Sequence, residues 1–182
     1  GEYEHVKFRV RKYATGLHEP GEAFLEAKVK HNNMQQKLRV RAASDILLDP
    51  SRWHELPGAD AAYFAELAAD RRLLPVVNVY YEREAFALTD LTETGETTRL
   101  NFDTCITALY PREDRATRAL VESRAVMHPG QVLLEVKQSN HILPSALRRE
   151  MQQVNASRTT FSKYAESLQR LDELNGHFEV SA

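Results

Sequence analysis

The residues best equipped for chemistry in this chain are its arginines and lysines, and their spacing says more than their number. Lys7, Arg9 and Arg11 stand two apart, as do Lys28 and Lys30, and as do Lys37, Arg39 and Arg41. A period of two puts side chains on one face of an extended strand. The intervening positions hold Val6, Phe8 and Val10, then Leu25, Ala27 and Val29, then Leu38, Val40 and Ala42. The alternation returns three more times. Tyr81 and Arg83 oppose Phe86 and Leu88; Arg99, Asn101 and Asp103 oppose Leu100 and Phe102; Glu135 and Lys137 oppose Val132, Leu134 and Val136.

Eleven basic residues thus share the charged parity of six strands: Lys7, Arg9, Arg11, Lys28, Lys30, Lys37, Arg39, Arg41, Arg83, Arg99 and Lys137. Only Glu26, Asp103 and Glu135 accompany them. One such strand alone reads as a solvated face. Six strands biased to one sign read differently, because like charges opposite each other across a ladder repel. A face of that kind needs an anion to neutralise it, and the need grows if the face lines a tunnel of low dielectric. The implied ligand is long, polyanionic and rich in oxygen. Arginine meets phosphate oxygens with a two-pronged fork and lysine meets them as a point charge. Nucleic acid fits less well, since base stacking calls for exposed rings. On this parity Tyr13 and Tyr81 offer rings, and either reads equally well as core.

Glu26 and Glu135 each precede a lysine by two residues on the same face. An internal ion pair explains Glu26. Glu135 is the candidate metal ligand, since Mg²⁺ or Mn²⁺ needs few protein carboxylates when phosphate oxygens supply other positions. Such a metal would bridge phosphates and spread charge in phosphoryl transfer. There is no P-loop and no C-x-x-C, and the seven His residues lack a ligand spacing.

The elements that must hold these residues are strands over 4–13, 23–30, 37–42, 76–88, 97–104 and 132–138, with a turn at Asn32-Asn33. Helices are expected over 59–73, ending before Pro75, over 144–154, opening on Pro144, and over 160–175. The last carries Phe161, Tyr164, Leu168, Leu171 and Leu174 at spacings of three and four, then Asn175-Gly176 as a stop. Segments 14–22 and 111–130 read as loops and 177–182 as a frayed tail. The 182 residues suit one domain over 1–176. The net charge of −2 supplies no global basic field, so an anion site must come from arrangement. Cys105 is the only cysteine, which excludes an internal disulfide and suits a reducing, cytoplasmic compartment. No apolar run approaches about 18 residues, so no membrane segment is expected, and no leader is visible.

Seven segments in order carry a resemblance: K-F-R-V-R-K-Y (7–13), F-L-E-A-K-V-K (24–30), K-L-R-V-R (37–41), Y-Y-E-R-E-A-F (80–86), R-L-N-F-D-T (99–104), L-E-V-K (134–137) and F-S-K-Y (161–164). Together they resemble the VTC (vacuolar transporter chaperone) domain, the polyphosphate polymerase type of triphosphate tunnel metalloenzyme. The resemblance implies an α+β fold: an antiparallel β tunnel or barrel with a basic lumen and helices packed outside. It implies transfer of the γ-phosphate of ATP to a polyphosphate chain, with Mn²⁺ or Mg²⁺. Arg9 and Arg11 resemble the family's R-x-R pair, Lys28 the lysine of its F-x-E-x-K strand, Arg83 the arginine of Y-x-R-x-A-F, and Arg99 the arginine before D-T. Glu135 resembles the metal-binding glutamate, and Ser162 and Lys163 the S-K of a closing helix, although Lys163 alone also reads as an exposed helix lysine. Lys7, Lys30, Lys37, Arg39 and Lys137 join the implied phosphate-binding set. Family members begin with two further strands, the first bearing an E-x-K-type motif with a phosphate-binding lysine, and these are expected to be missing ahead of Gly1. Six strands fall short of the roughly eight a small barrel uses, so the barrel is expected to be incomplete or completed by a second chain. The expected partners are ATP or another triphosphate and polyphosphate, without nucleic acid. Two alternatives stay open: a non-catalytic polyphosphate-binding scaffold, and a triphosphate hydrolase of the same superfamily.

Overall fold

The computed structural model describes residues 4–14, 22–31, 34–71, 73, 75–88, 97–110, 123–138 and 143–175. The chain forms two compact units, Gly1–Pro75 and Val76–Ala182, and both are built on antiparallel sheets with helices.

In the first unit β1 (Glu4–Lys12), β2 (Ala23–His31) and β3 (Met34–Arg41) pair in that order. The register sets Phe8 beside Ala27 and Leu38, and Val10 beside Leu25 and Val40. Those residues form the apolar face. A short helix α1 (Ser44–Leu47), a 3-10 turn over Pro50–Glu55 and α2 (Asp60–Arg71) follow. Leu47, Trp53, Leu56 and Phe64 from these elements join Leu25, Ala27, Val29, Leu38 and Val40 in one buried core. Trp53 donates from its indole nitrogen to the Leu47 carbonyl at 3.2 Å. Burying each large side chain of this kind is worth about 1.5–3 kcal/mol. That burial locks the register, because a slip of one residue would turn the charged face inward.

In the second unit β5 (Thr98–Leu109) is central. It pairs with β4 (Asn78–Leu88) along one side. Along the other it pairs with β7 (Leu133–Lys137) over Arg99–Asp103 and with the three-residue β6 (Ser123–Ala125) over Thr107–Leu109. The β4–β5 ladder matches Glu82 with Thr104 but Tyr80 with Thr107, so β5 carries one extra residue. Cys105 lies in the left-handed region there, with φ of 53°. This is the geometry of a β-bulge. The bulge shifts the alternation by one, so Ile106 and Ala108 come onto the same face as Asp103. They form a second core with Val126 and Leu171, flanked by Val77, Val79, Tyr81, Leu133 and Phe161. Helix α3 (Ser145–Gln153) comes before α4 (Lys163–Asn175) in the chain. Tyr110 donates to the Leu171 carbonyl at 2.7 Å and ties α4 to this core.

Several boundaries differ from the sequence reading for physical reasons. β5 continues to Leu109 rather than ending at 104, because the bulge puts its second half out of phase. β6 falls inside the expected loop 111–130 and is too short to show alternation. The apolar run after Ala43 folds as α1 and a 3-10 turn that carried no periodic signal. The expected turn at Asn32-Asn33 lies outside the described residues, as does most of 14–22 and all of 177–182. The strands make two antiparallel sheets, of three and four strands. Among the described residues no closed barrel forms, and no helix is long and apolar enough to cross a membrane.

Candidate functional site

The charged face of the first unit is organised in rows across its three strands. Arg9, Glu26 and Arg39 lie opposite one another, Lys7, Lys28 and Lys37 form the next row, and Arg11, Phe24 and Arg41 the row on the other side. Lys30 sits one row beyond the lysines, opposite Gln35. Glu26 is the hub of the arginines. It takes Arg9 Nε at 2.6 Å, Arg39 Nε at 3.5 Å and Arg11 Nη1 at 3.9 Å. Arg41 pairs with Glu22 at 2.9 Å. The internal ion-pair reading of Glu26 therefore holds.

The lysine row is different. Lys7, Lys28 and Lys37 are exposed on directly opposed positions, and among the described residues no carboxylate pairs with them. Like charges so placed repel, and an anion lying across the row removes that cost.

In the second unit the site is a buried ion cluster. Asp103 is fully buried. Its Oδ1 accepts from Arg83 Nε at 2.6 Å and its Oδ2 from Arg83 Nη2 at 2.8 Å, and Lys163 Nζ lies 2.5 Å from the same Oδ2. Glu135 lies next to it and accepts from Arg83 Nη2 at 3.3 Å and Asn101 Nδ2 at 3.2 Å, with Lys137 Nζ at 3.2 Å. The Tyr81 ring lies 5.2 Å from the Arg83 guanidinium and 5.0 Å from Lys163 Nζ. Burial pushes the Asp103 carboxyl up, but hydrogen bonds from Arg83 and Lys163 outweigh it and hold it below its ordinary value. Burial likewise raises Glu135, and Asn101 and Lys137 bring it net below. Arg83 is held charged, chiefly by its hydrogen bonds to Asp103.

A family model of the VTC domain matches residues 1–172. The chain belongs to the VTC domain family. That family carries a polyphosphate-related function within the triphosphate tunnel enzymes. No curated protein and no solved structure matches the chain.

In this VTC domain the eight basic residues of the first sheet that the spacing singled out do share one face, since every one lies on the side opposite the core. Arg83, Glu135 and Lys163 come together in the second unit, while Arg99 lies opposite Lys137 at an exposed position. Lys163 is no exposed helix lysine: its side chain is 21% accessible and salt-bridged. Ser162 caps α4, its hydroxyl accepting from the Ala165 N–H at 3.4 Å. Tyr13 is not core, being 43% exposed. Tyr81 does flank the second core.

The sequence reading gave Asp103 no role and passed over Phe24, which shares the parity of Glu26. The signal for Asp103 was an acid at period two on a basic face; only the β4–β5 register shows that Arg83 lies opposite. A cation fits this site in one way. Among the described residues no three acidic, His or Cys side chains converge, and Glu135, 40% accessible, is the carboxylate that solvent reaches. One reachable carboxylate suits Mg²⁺ or Mn²⁺ whose other ligands are phosphate oxygens and water.

Proposed function

We propose that this VTC domain is of the polyphosphate polymerase type and moves the γ-phosphate of ATP onto a phosphate chain lying along its basic strands. The row Lys7–Lys28–Lys37, three opposed cations with no carboxylate partner among the described residues, carries the reading. It continues through Lys30 on one side and Arg9, Arg39 and Arg11 on the other, so a linear polyanion running with the strands meets cations at successive rows. No closed tunnel is needed for this, because the rows lie on one sheet.

The reaction is an in-line displacement. A terminal oxygen of the chain attacks Pγ, the bond from Pγ to the β–γ bridging oxygen breaks, and ADP leaves. Such transfers need positioning and charge stabilisation more than covalent participation. On the sheet of the first unit Arg9, Arg11 and Lys28 would hold phosphate oxygens; in the second unit, taken by itself, Arg83, Arg99, Lys137 and Lys163 are the cations that phosphate would meet. Glu135 would hold Mn²⁺ or Mg²⁺, which neutralises triphosphate charge when bound.

A second reading is a scaffold that holds polyphosphate without turnover. It is favoured by the Asp103 pairing of Arg83 and Lys163, which spends two of the implied catalytic cations on a buried carboxylate. Incubation with ATP and Mn²⁺ decides between them. Chain growth on a primer supports the polymerase, and binding without growth supports the scaffold. Phosphate release from tripolyphosphate that outpaces growth would overturn both in favour of a hydrolase.

A further inference from the structure

One end of the basic face of the first sheet is not simply basic. Phe24 lies between Arg11 and Arg41 in the register, and it is the one large apolar side chain in those rows. Its ring packs edge-on against Tyr13, with centroids 5.9 Å apart. The Arg39 guanidinium lies over Phe24 at 3.6 Å, and that of Arg11 over Tyr13 at 4.9 Å. Tyr13 is 43% exposed and the Arg39 side chain 48%. The Tyr13 ring and the Arg39 plane therefore stand at the surface, with Phe24 and Arg11 partly buried beside them, in a face whose other positions are charged and hydrogen-bonding groups.

A bare phosphate chain can use the guanidinium groups but has no use for the two rings. It gains nothing from an aromatic face, and Phe24 costs the site a position that a cation could fill. Flat π surfaces and arginine planes are what nucleobases stack on. We propose that Tyr13, Phe24, Arg39 and Arg11 form a platform for the base of a nucleoside triphosphate, whose phosphates then run along the strands to the lysine row. The spacing suits this. Phe24 and Lys28 are four residues apart on one strand, which is about 13 Å, comparable to the reach from the base of an extended nucleoside triphosphate to its terminal phosphate. The Arg9–Glu26–Arg39 row lies between. The inference rests on the phosphate-binding reading of this face and adds to it a preference for a nucleotide over a plain phosphate chain.

Calorimetric titration of the full chain with ATP and with tripolyphosphate tests it. Stacking on one ring is worth about a factor of ten or more in affinity. Tyr13→Ala, at an exposed position, should weaken ATP binding about tenfold and leave tripolyphosphate binding within about twofold. Phe24→Leu, which keeps an apolar residue under Arg39, should act in the same direction. If tripolyphosphate binds and both variants weaken the two ligands equally, or neither, the platform is wrong and the phosphate reading stands. If neither ligand binds the unaltered protein, the phosphate reading fails and the platform with it.

Discussion

Asp103→Asn is the substitution whose outcome the second unit specifies most sharply. The side chain keeps its shape but loses its charge, and one of its two oxygens becomes an amide donor. Arg83 then has one acceptor where it had two, and Lys163 faces an N–H₂ group instead of an oxygen. Removing one partner of a buried ion pair costs about 3–5 kcal/mol, because the other charge is left uncompensated. The low end applies here. Arg83 and Lys163 keep 23% and 21% accessibility, and Glu135 still accepts from Arg83. A loss of about 3 kcal/mol lowers the melting temperature by roughly 6–12 °C in a chain of this size. The assay is thermal melting by circular dichroism across pH. The folded Asp103 carboxyl lies below its ordinary value of 3.8, so its contribution is full above that value and is lost as pH falls through the folded value. Wild type and variant should therefore differ at pH 7 and converge as pH falls through the folded value, which lies below 3.8. Melting within 2 °C of wild type at pH 7, or a gap that persists in acid, would refute the argument that Asp103 clamps Arg83 and the start of α4.

Replacing Arg9 and Arg11 together by Ala leaves Glu26 with Arg39 and relieves part of the like-charge repulsion, so stability should change by no more than about 1 kcal/mol. Polyphosphate affinity should drop about 100-fold or more, at about 1.5–3 kcal/mol per charge-assisted bond; normal binding in a filter assay would mean that this face is not the phosphate site. Glu135→Gln should raise the Mn²⁺ concentration needed for half-maximal chain growth by about 10- to 100-fold while polyphosphate binding stays intact, and an unchanged metal requirement would remove Glu135 as the ligand. At the bulge, Cys105→Gly should stay within about 1 kcal/mol of wild type in urea, because glycine takes a positive φ freely. Cys105→Val should lose about 1–2 kcal/mol more; equal midpoints would argue against the bulge.

The sequence by itself determined the faces. Alternation is local: each residue's side of a strand follows from its neighbours two away, so the basic parity of Lys7 to Arg41, the core parity of Val6 to Val40 and three of the helices were all legible from one dimension. It also ordered the motifs that place the chain in its family. Register is not local, and only the tertiary structure decided it. That Lys7, Lys28 and Lys37 align while Glu26 falls among three arginines depends on which residues pair across strands. That Asp103 meets Arg83 and then Lys163, sixty residues later, depends on the β4–β5 ladder and on where α4 packs. The bulge at Cys105 moved Ile106 and Ala108 to the other face and hid the second half of β5 from any count of alternation. A spacing rule predicts which side a charge is on; what the charge touches is set by long-range packing.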